Sequence, residues 1–542
     1  MKLSDAGIKQ QDLRAPQEPY TSLIQPSSYA VSELLQDNRR LLADVDVAGI
    51  GLDELSATAR EQLYHDALDH TRGYRDVASP ACVPRRVGTP QTLILSGHQP
   101  ELFHPGVWFK NFALSEFARE HAASAIHVLI DNDVCRHTTI RIPTGSIAAP
   151  EIADVPMDAS GAVIPYEERM ILDPQTFASF GDRVLEMVGE IVPKPLVSSL
   201  WTYATNAAEH PRPLGQVLAV ARHRIEQAWG METLEVPLST VCDTPMFRRF
   251  FLGTVLRLRD FHGIHNDVLS QFRHVYGIRS ASHPVPELRS RNGWLETPFW
   301  CWTKDDPTRR PLFGRYVGAN LQLQSDGNEK ALELETKGDM SAAIEILAAA
   351  REQGFKIRPR ALLTTMYMRL FLSDLFLHGI GGAKYDELTD EIIRQFWQLE
   401  PPGYMTLTAT IPLPVSRPTV EVDDIRRLDG LLRDLWYHPE QHFDLSDLAE
   451  AERHQATALA KSKLQWIQTT AERGQGKHRH NAIVSTNEKL RRLVAPLRGS
   501  LLDERQRLSE QLRQANVLSS RDYSFCLFPG DMIRQTLLDL LH

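Results

Sequence analysis

Residues 92–133 constrain the fold most, because they read as one complete unit of strand, loop, helix and strand. An apolar run at residues 93–95 stops at Ser96 and Gly97, and a second apolar run at residues 126–130 is followed by Asp-Asn-Asp. Two apolar strands joined through a helix are typical of a parallel sheet. The unit therefore predicts an α/β core.

Polar residues follow the end of each predicted strand. His98 and Gln99 follow the first strand, and Asp131 and Asp133 follow the second. Ligands of parallel sheets bind beyond the carboxyl ends of the strands, and the helix that we expect to start near Val107 would point its positive end there. We therefore expect these four side chains at one rim of the sheet, beside a ligand.

The composition narrows the class of protein. A chain of 542 residues exceeds what one hydrophobic core supports, so we expect a large α/β domain with attached modules. With 60 basic and 69 acidic residues the formal charge is -9, which argues against nucleic acid or an anionic membrane as a partner. The sequence shows no signal-peptide or membrane-spanning pattern, and its cysteines have no metal-ligand spacing, so we expect a soluble protein of the reducing cytoplasm. The cysteines are Cys82, Cys135, Cys242, Cys301 and Cys526.

Changes in pattern along the chain predict five segments. Short apolar fragments among Pro, Gly and Asp at residues 143–193 indicate hairpins, and helical spacing dominates residues 201–274. Aromatic and β-branched runs around an Asp-Asp-Pro turn predict a further hairpin at residues 292–317. The segments are a helical brace (1–90), the first half of the core (91–142), the core continuation with inserted connecting segments (143–355), the end of the core with a glycine loop (356–430), and a coiled-coil arm and tail (431–542).

The end of the core contains a second candidate site. We predict a helix, a strand at residues 375–377, a glycine loop from His378 to Gly382, and another helix. Gly379, Gly381 and Gly382 would expose backbone N–H groups to an anion, although the sequence is neither a Walker A motif nor a complete GxGxxG. Tyr385 and Asp386 would either face the site from the next helix or cap that helix.

The candidate residues of the first site have two readings each. Gly97 forms a binding loop or only a tight turn, and His98 transfers protons or serves as a hydrogen-bonded structural residue. Asp131 and Asp133 hold Mg²⁺ or a substrate ammonium, or belong with Asn132 to a solvated turn. The lysine and asparagine of the first helical turn, Lys110 and Asn111, contact a bound anion or only solvent.

Helical spacing near the C-terminus predicts a long hairpin from residue 445 to about residue 514. Its second arm has apolar residues at coiled-coil spacing, with Pro496 expected to kink it. Such an arm pairs two subunits or folds back on its own subunit. The apolar residues are Ile483, Leu490, Val494, Leu497, Leu501 and Leu508.

On these residues, most of the chain resembles the BshC family, the cysteine-adding ligases of bacillithiol synthesis. Ser96-Gly97-His98-Gln99 corresponds to the family's Thr-Gly-Gln-Gln, and Lys110 corresponds to the lysine of the following helix. Leu102-Phe103 and the helix start at Pro105-Gly106-Val107-Trp108 also match. Looser matches are the glycine loop followed by Tyr385, and the arm residues His480, Ala482, Lys489 and Leu490.

The resemblance implies an α/β fold with a Rossmann-like nucleotidyltransferase-type core, inserted connecting segments and a C-terminal α-helical coiled-coil hairpin that pairs two subunits. It implies a ligase that joins an amino acid, by resemblance cysteine, to the amine of a sugar-derived acceptor such as glucosaminyl malate. We assign catalysis to His98, Asp131 and Asp133, and no residue to a resident metal. Substrate or nucleotide binding is assigned to Gly97, Gln99, Lys110, Asn111, Asn132, His378, Gly379, Gly381, Gly382, Tyr385 and Asp386.

Two alternatives stay open. Where family members carry a Ser-Glu-Asp-His-Asp type motif at the second strand end, this chain has Ile130-Asp131-Asn132-Asp133-Val134. A divergent binding or assembly protein on the same scaffold would explain that change, and so would a ligase or transferase with another acceptor. The carboxyl-activating group is also open, with a nucleotide (ATP or ADP) and Mg²⁺ as the candidates.

Overall fold

The structure is a computed structural model that describes residues 7–8, 13–42, 46–47, 50–77, 92–326, 332–442, 449–470 and 475–542. The chain divides into two compact units. The first comprises Met1–Ile142, Ala153–Leu413 and Arg521–His542, and the second comprises Pro143–Ile152 and Pro414–Ser520. The predicted boundary at residue 90 and Cys82 lie outside the described residues.

The described residues contain strands, α-helices and a few short helical turns. The strands are β1 (Thr21–Gln25), β2 (Asp46–Val47), β3 (Ile50–Gly51), β4 (Leu93–His98), β5 (Ser124–Leu129), β6 (Thr139–Ser146), β7 (Ala149–Pro156), β8 (Leu234–Pro237), β9 (Ser290–Arg291), β10 (Trp294–Thr303), β11 (Arg310–Val317), β12 (Asn320–Ser325), β13 (Leu332–Glu335), β14 (Phe355–Pro359), β15 (Leu375–His378) and β16 (Tyr404–Thr410). The helices are α1 (Val31–Leu42), α2 (Leu52–Arg72), α3 (Pro105–Glu120), α4 (Pro174–Val188), α5 (Val197–Ala208), α6 (Leu214–Ala228), α7 (Leu238–Cys242), α8 (Pro245–Val255), α9 (Leu258–Val275), α10 (Met340–Glu352), α11 (Ala361–Tyr367), α12 (Ile380–Ile392), α13 (Val422–Tyr437), α14 (Glu450–Gln468), α15 (Gly476–Leu493), α16 (Ala495–Leu518) and α17 (Gly530–Asp539). Single 3₁₀ turns cover Ser28–Ala30, Pro439–Gln441 and Phe525–Leu527, and π-helical turns cover Met368–Leu372 and Ile393–Trp397.

The main sheet confirms the α/β class. Its strand order is β1-β16-β15-β4-β5-β8, in which every neighbouring pair is parallel except β1 with β16. From β4 the chain adds β5 and β8 on one side, and it returns to add β15 and β16 on the other side. The strand order therefore reverses between β4 and β15, the place where open α/β sheets form a ligand crevice.

Helix α3 begins two residues before the expected Val107, and its start has a local physical cause. His104 is the N-cap residue, and its Nδ1 atom accepts a hydrogen bond of 3.1 Å from the Gly106 N–H. Pro105 occupies the first turn, where its missing N–H removes no helical hydrogen bond. The helix packs against β4, β5, β15 and β16. The chain after β4 is thus held across the sheet.

A second, antiparallel sheet has the order β13-β12-β11-β10-β14, with β9 paired to β10. The hairpin predicted at residues 292–317 is confirmed as β10 and β11. The register of β10 with β11 shifts between Glu296 and Trp300, whereas residues 299–303 pair with β14 without interruption. Phe299 and Trp302 are buried, and Trp300 is only half-buried.

Two predictions about the middle of the chain need correction. Residues 143–193 form only one hairpin, β6 with β7, because Asp173 caps a helix, α4, whose Phe177, Phe180 and Val184 are buried at helical spacing. The stretch predicted as helical, residues 201–274, also contains β8, a buried core strand of four residues. A strand this short has no periodicity that distinguishes it from a buried helix segment.

The second unit is helical, but its predicted second arm is not one kinked helix. Helix α15 ends at Leu493, and α16 begins at Ala495 with Pro496 in its first turn. Proline is favourable there and unfavourable in a helix interior, so the predicted arm is divided into two helices at Val494. Within this unit α14 packs on α15, and α16 packs on α13. Among the described residues, no helix is both long enough and apolar enough to span a bilayer.

Two glycine-to-alanine changes test the packing of α3 on the sheet. A Cβ at Gly106 would lie 2.2 Å from the backbone oxygen of Ala409 in β16, so Gly106→Ala should lower the free energy of unfolding by about 1–3 kcal/mol. Gly263→Ala in α9 is the control, because a Cβ there meets nothing within 4 Å. This change should raise the free energy of unfolding by about 0.5–1 kcal/mol, since alanine favours a helix more than glycine does. Urea denaturation measures both, and an unchanged Gly106→Ala protein would contradict this packing.

Candidate active site

A cavity of about 690 Å³ lies in the first unit at the carboxyl ends of the main-sheet strands. The segments after β4, β5 and β15 line it, together with the first turns of α3 and α12. The cavity thus occupies the crevice where the strand order reverses. The predicted site residues that line it are Gly97, His98, Gln99, Lys110, Asn132, Asp133, His378, Gly379, Gly381 and Gly382.

Four predicted site residues lie behind the cavity wall. Asn111 contacts His98 through Oδ1 (3.2 Å) and donates from Nδ2 to Glu226 (2.9 Å). Tyr385 packs edge-on against His283, and Asp131 and Asp386 are buried against other side chains. These four residues do not line the cavity, so the geometry does not support the direct ligand contacts that the sequence assigned to them.

Lys110 is the most unusual residue of the lining. Only 5% of it is exposed, and its Nζ atom donates to the Gly97 carbonyl oxygen at 2.9 Å. Within the described ranges no carboxylate forms an ion pair with it. Burial lowers the pKa of its ammonium group to about 8. The cavity wall therefore contains a buried cation that has no carboxylate partner among the described residues.

The predicted glycine loop is in fact the start of a helix. Gly379 is the N-cap of α12, no side chain caps this end, and residues 380–382 form the first turn. The first-turn N–H groups have no intrahelical acceptor, so they are available to an anion. None of the three glycines has a positive φ, so backbone conformation does not require glycine at these positions.

The space around each glycine differs. A Cβ at Gly381 would meet no atom within 4 Å, whereas one at Gly382 would lie 2.5 Å from Nδ1 of His378. A Cβ at Gly379 would be 3.8 Å from Nζ of Lys110. The helix start, the histidine and the lysine are therefore neighbours in one part of the cavity.

His98 reaches the cavity wall, but protein oxygens engage its ring. Nδ1 lies 2.9 Å from the Gln99 carbonyl oxygen, and Nε2 lies 3.2 Å from Oδ1 of Asn111. Burial, followed by the nearby His127 and Lys110, lowers the pKa of His98 well below 6.5. The ring is therefore neutral at pH 7 and donates a hydrogen bond through one nitrogen only. Both nitrogens face protein oxygens, so neither is open to the cavity for the proton transfer that the sequence predicted.

Asp131 and Asp133 do not face a common ligand. β5 ends at Leu129 and the chain turns, so the alternation expected of a strand is lost. Asp131 accepts from the Ser239 N–H (2.9 Å) and hydroxyl (2.5 Å), whereas Asp133 accepts from Arg309 (2.8 Å) and Gln99 (3.2 Å). Their expected joint role around Mg²⁺ or an ammonium is corrected accordingly.

Several cavity residues carry no local sequence signal. Arg309 precedes β11 and Arg360 follows β14, and their guanidinium carbons lie 4.7 and 4.0 Å from the ring centre of Trp300. His104 and Arg521 join them from distant parts of the chain. The cationic lining side chains thus outnumber the one acidic lining residue, Asp133, among the described residues. The cavity favours an anionic ligand.

One group among the described residues has the spacing of metal ligands, but an arginine neutralises it. The group is His223, Glu226 and Glu235, all buried behind the cavity. Arg222 donates to Glu226 at 2.6 Å and also to Glu235. A guanidinium ion bridging both carboxylates takes the place of a metal cation there. The group is therefore structural.

The chain matches no protein-family model and no curated protein.

Asp131 gives a pH-dependent prediction. Burial, and next the neighbouring Glu167, raise its pKa to about 7, so the folded protein binds a proton that the unfolded chain has already lost. Its contribution to stability therefore falls as pH rises from 3.8 through about 7. An asparagine side chain does not titrate, so this loss is absent in Asp131→Asn. As pH rises from about 5 to about 8, the free energy of unfolding of the variant should therefore increase relative to that of the parent by on the order of 2 kcal/mol. Denaturation curves at each pH measure the difference, and parallel pH profiles would contradict the prediction.

Proposed function

We propose that the cavity binds the anionic group of a small molecule and that the protein is a BshC-like carbon-nitrogen ligase. It would join an amino acid, by resemblance cysteine, to the amine of a sugar-derived acceptor such as glucosaminyl malate. The observation that carries the proposal is the buried Lys110, which has no acidic partner in the described structure and lies beside the uncapped start of α12.

An isolated buried charge is costly, so its retention needs a compensating interaction. An anion at the start of α12 would accept hydrogen bonds from the first-turn N–H groups and would pair with Lys110. Open space at Gly381 leaves room for such a group close to the backbone. A phosphate or carboxylate satisfies all three conditions.

The topology supports a Rossmann-like core. Counted in chain order, the five parallel strands of the main sheet have the spatial order 3-2-1-4-5. This is the order of doubly wound folds that bind nucleotides at the point of reversal. Amide formation requires an activated carboxyl group, and a nucleotide such as ATP would supply a phosphate. We propose that Lys110 and α12 hold that phosphate as it leaves.

The second unit supports a proposal about assembly. Its helices expose large apolar side chains, which a coiled-coil hairpin would bury by pairing with a second copy of the chain. We propose a homodimer formed in this way, acting in the cytoplasm. The exposed side chains include Leu431, Trp436, Tyr437, Leu464 and Ile467.

A second candidate is a binding protein without catalysis. Asp131 is hydrogen-bonded to Ser239, and both ring nitrogens of His98 face protein oxygens. Two of the three residues assigned to catalysis therefore present no reactive group to the cavity, which favours this candidate. A transferase or ligase with another acceptor is equally compatible with the anionic site. Product formation distinguishes these functions.

Lys110→Met tests the anion site. The variant should raise the unfolding free energy of the ligand-free protein at pH 7 by about 1–3 kcal/mol, because it removes a buried charge. It should weaken binding of pyrophosphate and ADP at least about tenfold. In the parent protein, affinity should decline as pH rises above about 8, where Lys110 loses its proton. Isothermal titration and thermal shift measure these effects.

Lys384→Met is the matched control. Lys384 lies near the start of α12, where the anion is proposed to bind, but its side chain is exposed. It should leave both stability and anion affinity nearly unchanged. Undiminished pyrophosphate and ADP binding by Lys110→Met would refute the anion site.

The ligase proposal is tested by mass spectrometry of reactions with glucosaminyl malate, cysteine and a nucleotide panel. We expect a product with the mass of the cysteine adduct, and we expect Gly381→Leu to abolish it because the added side chain would enter the cavity. Gly263→Leu, on an exposed part of α9, is the control. Anion binding without any product would instead identify a binding protein or a different acceptor.

A further inference from the structure

We propose that His378, oriented by Asp386, is the residue that accepts a proton in the cavity. This inference rests on the proposed ligase function for its chemical role, although the geometry of the pair can be tested without turnover. It replaces the role that the sequence assigned to His98, and it gives Asp386 a positioning role.

A buried carboxylate fixes one side of the His378 ring. Oδ2 of Asp386 lies 2.6 Å from Nε2 of His378 and accepts a second hydrogen bond of 2.9 Å from Arg369. Oδ1 accepts from the Thr365 hydroxyl at 2.6 Å. Although burial alone would raise it, His378 and Arg369 hold the pKa of Asp386 well below its ordinary value. Asp386 is therefore an ionised acceptor.

An acceptor at Nε2 determines the tautomer of the ring. Because Asp386 has no proton to donate, His378 must carry a hydrogen on Nε2, so in the neutral form of the ring the lone pair lies on Nδ1. The described residues provide Nδ1 with no hydrogen-bond partner. A histidine held by a carboxylate, with its other nitrogen unengaged, has the arrangement of a general base.

The ring is also fixed in place beside the anion site. Phe376 and Tyr404 contact it edge-on, with centroid distances of 4.6 and 5.2 Å. Nδ1 lies next to Gly382, where any Cβ would approach to 2.5 Å. Charged groups nearby are Asp386 on α12, Arg369 behind it, and Lys110 on α3 beside Gly379. His378 lines the cavity, so Nδ1 can meet a ligand.

His98 differs from His378 in the chemistry of its partners. Each nitrogen of His98 faces a protein oxygen, from Gln99 on one side and Asn111 on the other. Among the described residues no carboxylate contacts its ring, whereas His378 has one at hydrogen-bond distance. Asp386 would pair with a proton gained by His378. Burial and nearby cations oppose a proton on His98 more strongly than its hydrogen bond to the Gln99 carbonyl oxygen favours it.

The acceptor amine attacks the carbonyl carbon of an aminoacyl phosphate, formed from the amino acid and a nucleoside triphosphate, and a C–N bond forms. The C–O bond to phosphate breaks, and phosphate leaves with its electron pair toward Lys110 and the start of α12. Nδ1 of His378 takes the proton that the amine loses, which gives an imidazolium ion paired with Asp386.

Nuclear magnetic resonance of ¹⁵N-histidine-labelled protein tests the pair without any reaction. We expect the His378 signal, identified by its loss in His378→Gln, to show hydrogen on Nε2 and none on Nδ1. Asp386→Asn should disturb this tautomer. Asp390→Asn is the matched control, because Asp390 pairs with the same Arg369 at 2.7 Å but does not contact His378. Hydrogen on Nδ1 in the parent protein would overturn the proposal.

Kinetics test the catalytic role. His378→Gln should lower kcat about 10²–10⁴-fold and remove the acidic limb of the kcat/KM pH profile, while pyrophosphate affinity changes less than about threefold. Asp386→Asn should lower kcat and shift that limb, and Asp390→Asn should leave it in place. An unaltered pH profile in His378→Gln would refute the catalytic role.

The two proposals fail in different ways. If no product forms in the parent protein, the ligase function fails, and the catalytic role proposed for His378 fails with it. The pairing of His378 with Asp386 is then judged by the tautomer measurement alone. If product forms and His378→Gln remains fully active, the ligase function stands and His378 is not its base.

Discussion

The cavity depends on how the starts of β4 and β15 are joined, and one buried carboxylate joins them. Asp374, immediately before β15, accepts from the Leu93 N–H at 2.8 Å and from Arg39 and Arg60 at 3.0 and 2.9 Å. Asn38 adds bonds to the backbone oxygens of Asp374 and Gly403, so α1 also ties β16 to the pair. The N-terminal helical region therefore holds the starts of β4, β15 and β16 together, at the end of the sheet opposite His98 and His378.

Compensation of buried charge distinguishes structure from function in this protein. Arg222, Arg358 and Arg369 are each almost fully buried, and each is paired with carboxylates. A buried arginine with two acidic partners is a structural unit, since removing one partner would leave an unpaired charge. Arg75 is also buried, and the described part of the chain gives it no ion pair, but its guanidinium donates to the backbone oxygens of His223, Met231 and Thr233. Lys110 has one carbonyl acceptor and, among the described residues, no carboxylate partner. It lies beside an open space and the uncapped start of α12, which is why we propose a ligand as its partner.

Several elements of the fold could be predicted from the sequence. Apolar runs bounded by turns predicted β4, β5 and the hairpin of β10 and β11. The predicted order of helix, strand, glycine loop and helix located the elements around β15, although the predicted loop is the start of α12. The four-residue β8 and the restart of the helix at Ala495 were not predicted. In both cases tertiary packing, and not local periodicity, selects the structure. Of the site, the sequence located the strand ends and the glycines, but it assigned the proton-transfer role to His98 and only a binding role to His378.

Local order along the chain determined which residues follow each core strand, because an apolar run, a turn and a helix cap are all encoded within about ten residues of one another. The sequence by itself thus predicted Gly97, Lys110 and the glycines of α12 as candidate binding residues. Only the tertiary structure decided their roles. Whether a carboxylate faces a ligand or a serine hydroxyl, and whether a histidine nitrogen meets a carboxylate or a carbonyl, depends on groups more distant in sequence or on other elements. Asp131 with Ser239, and Asp386 with Arg369, are contacts of this kind, and no spacing along the chain encodes them.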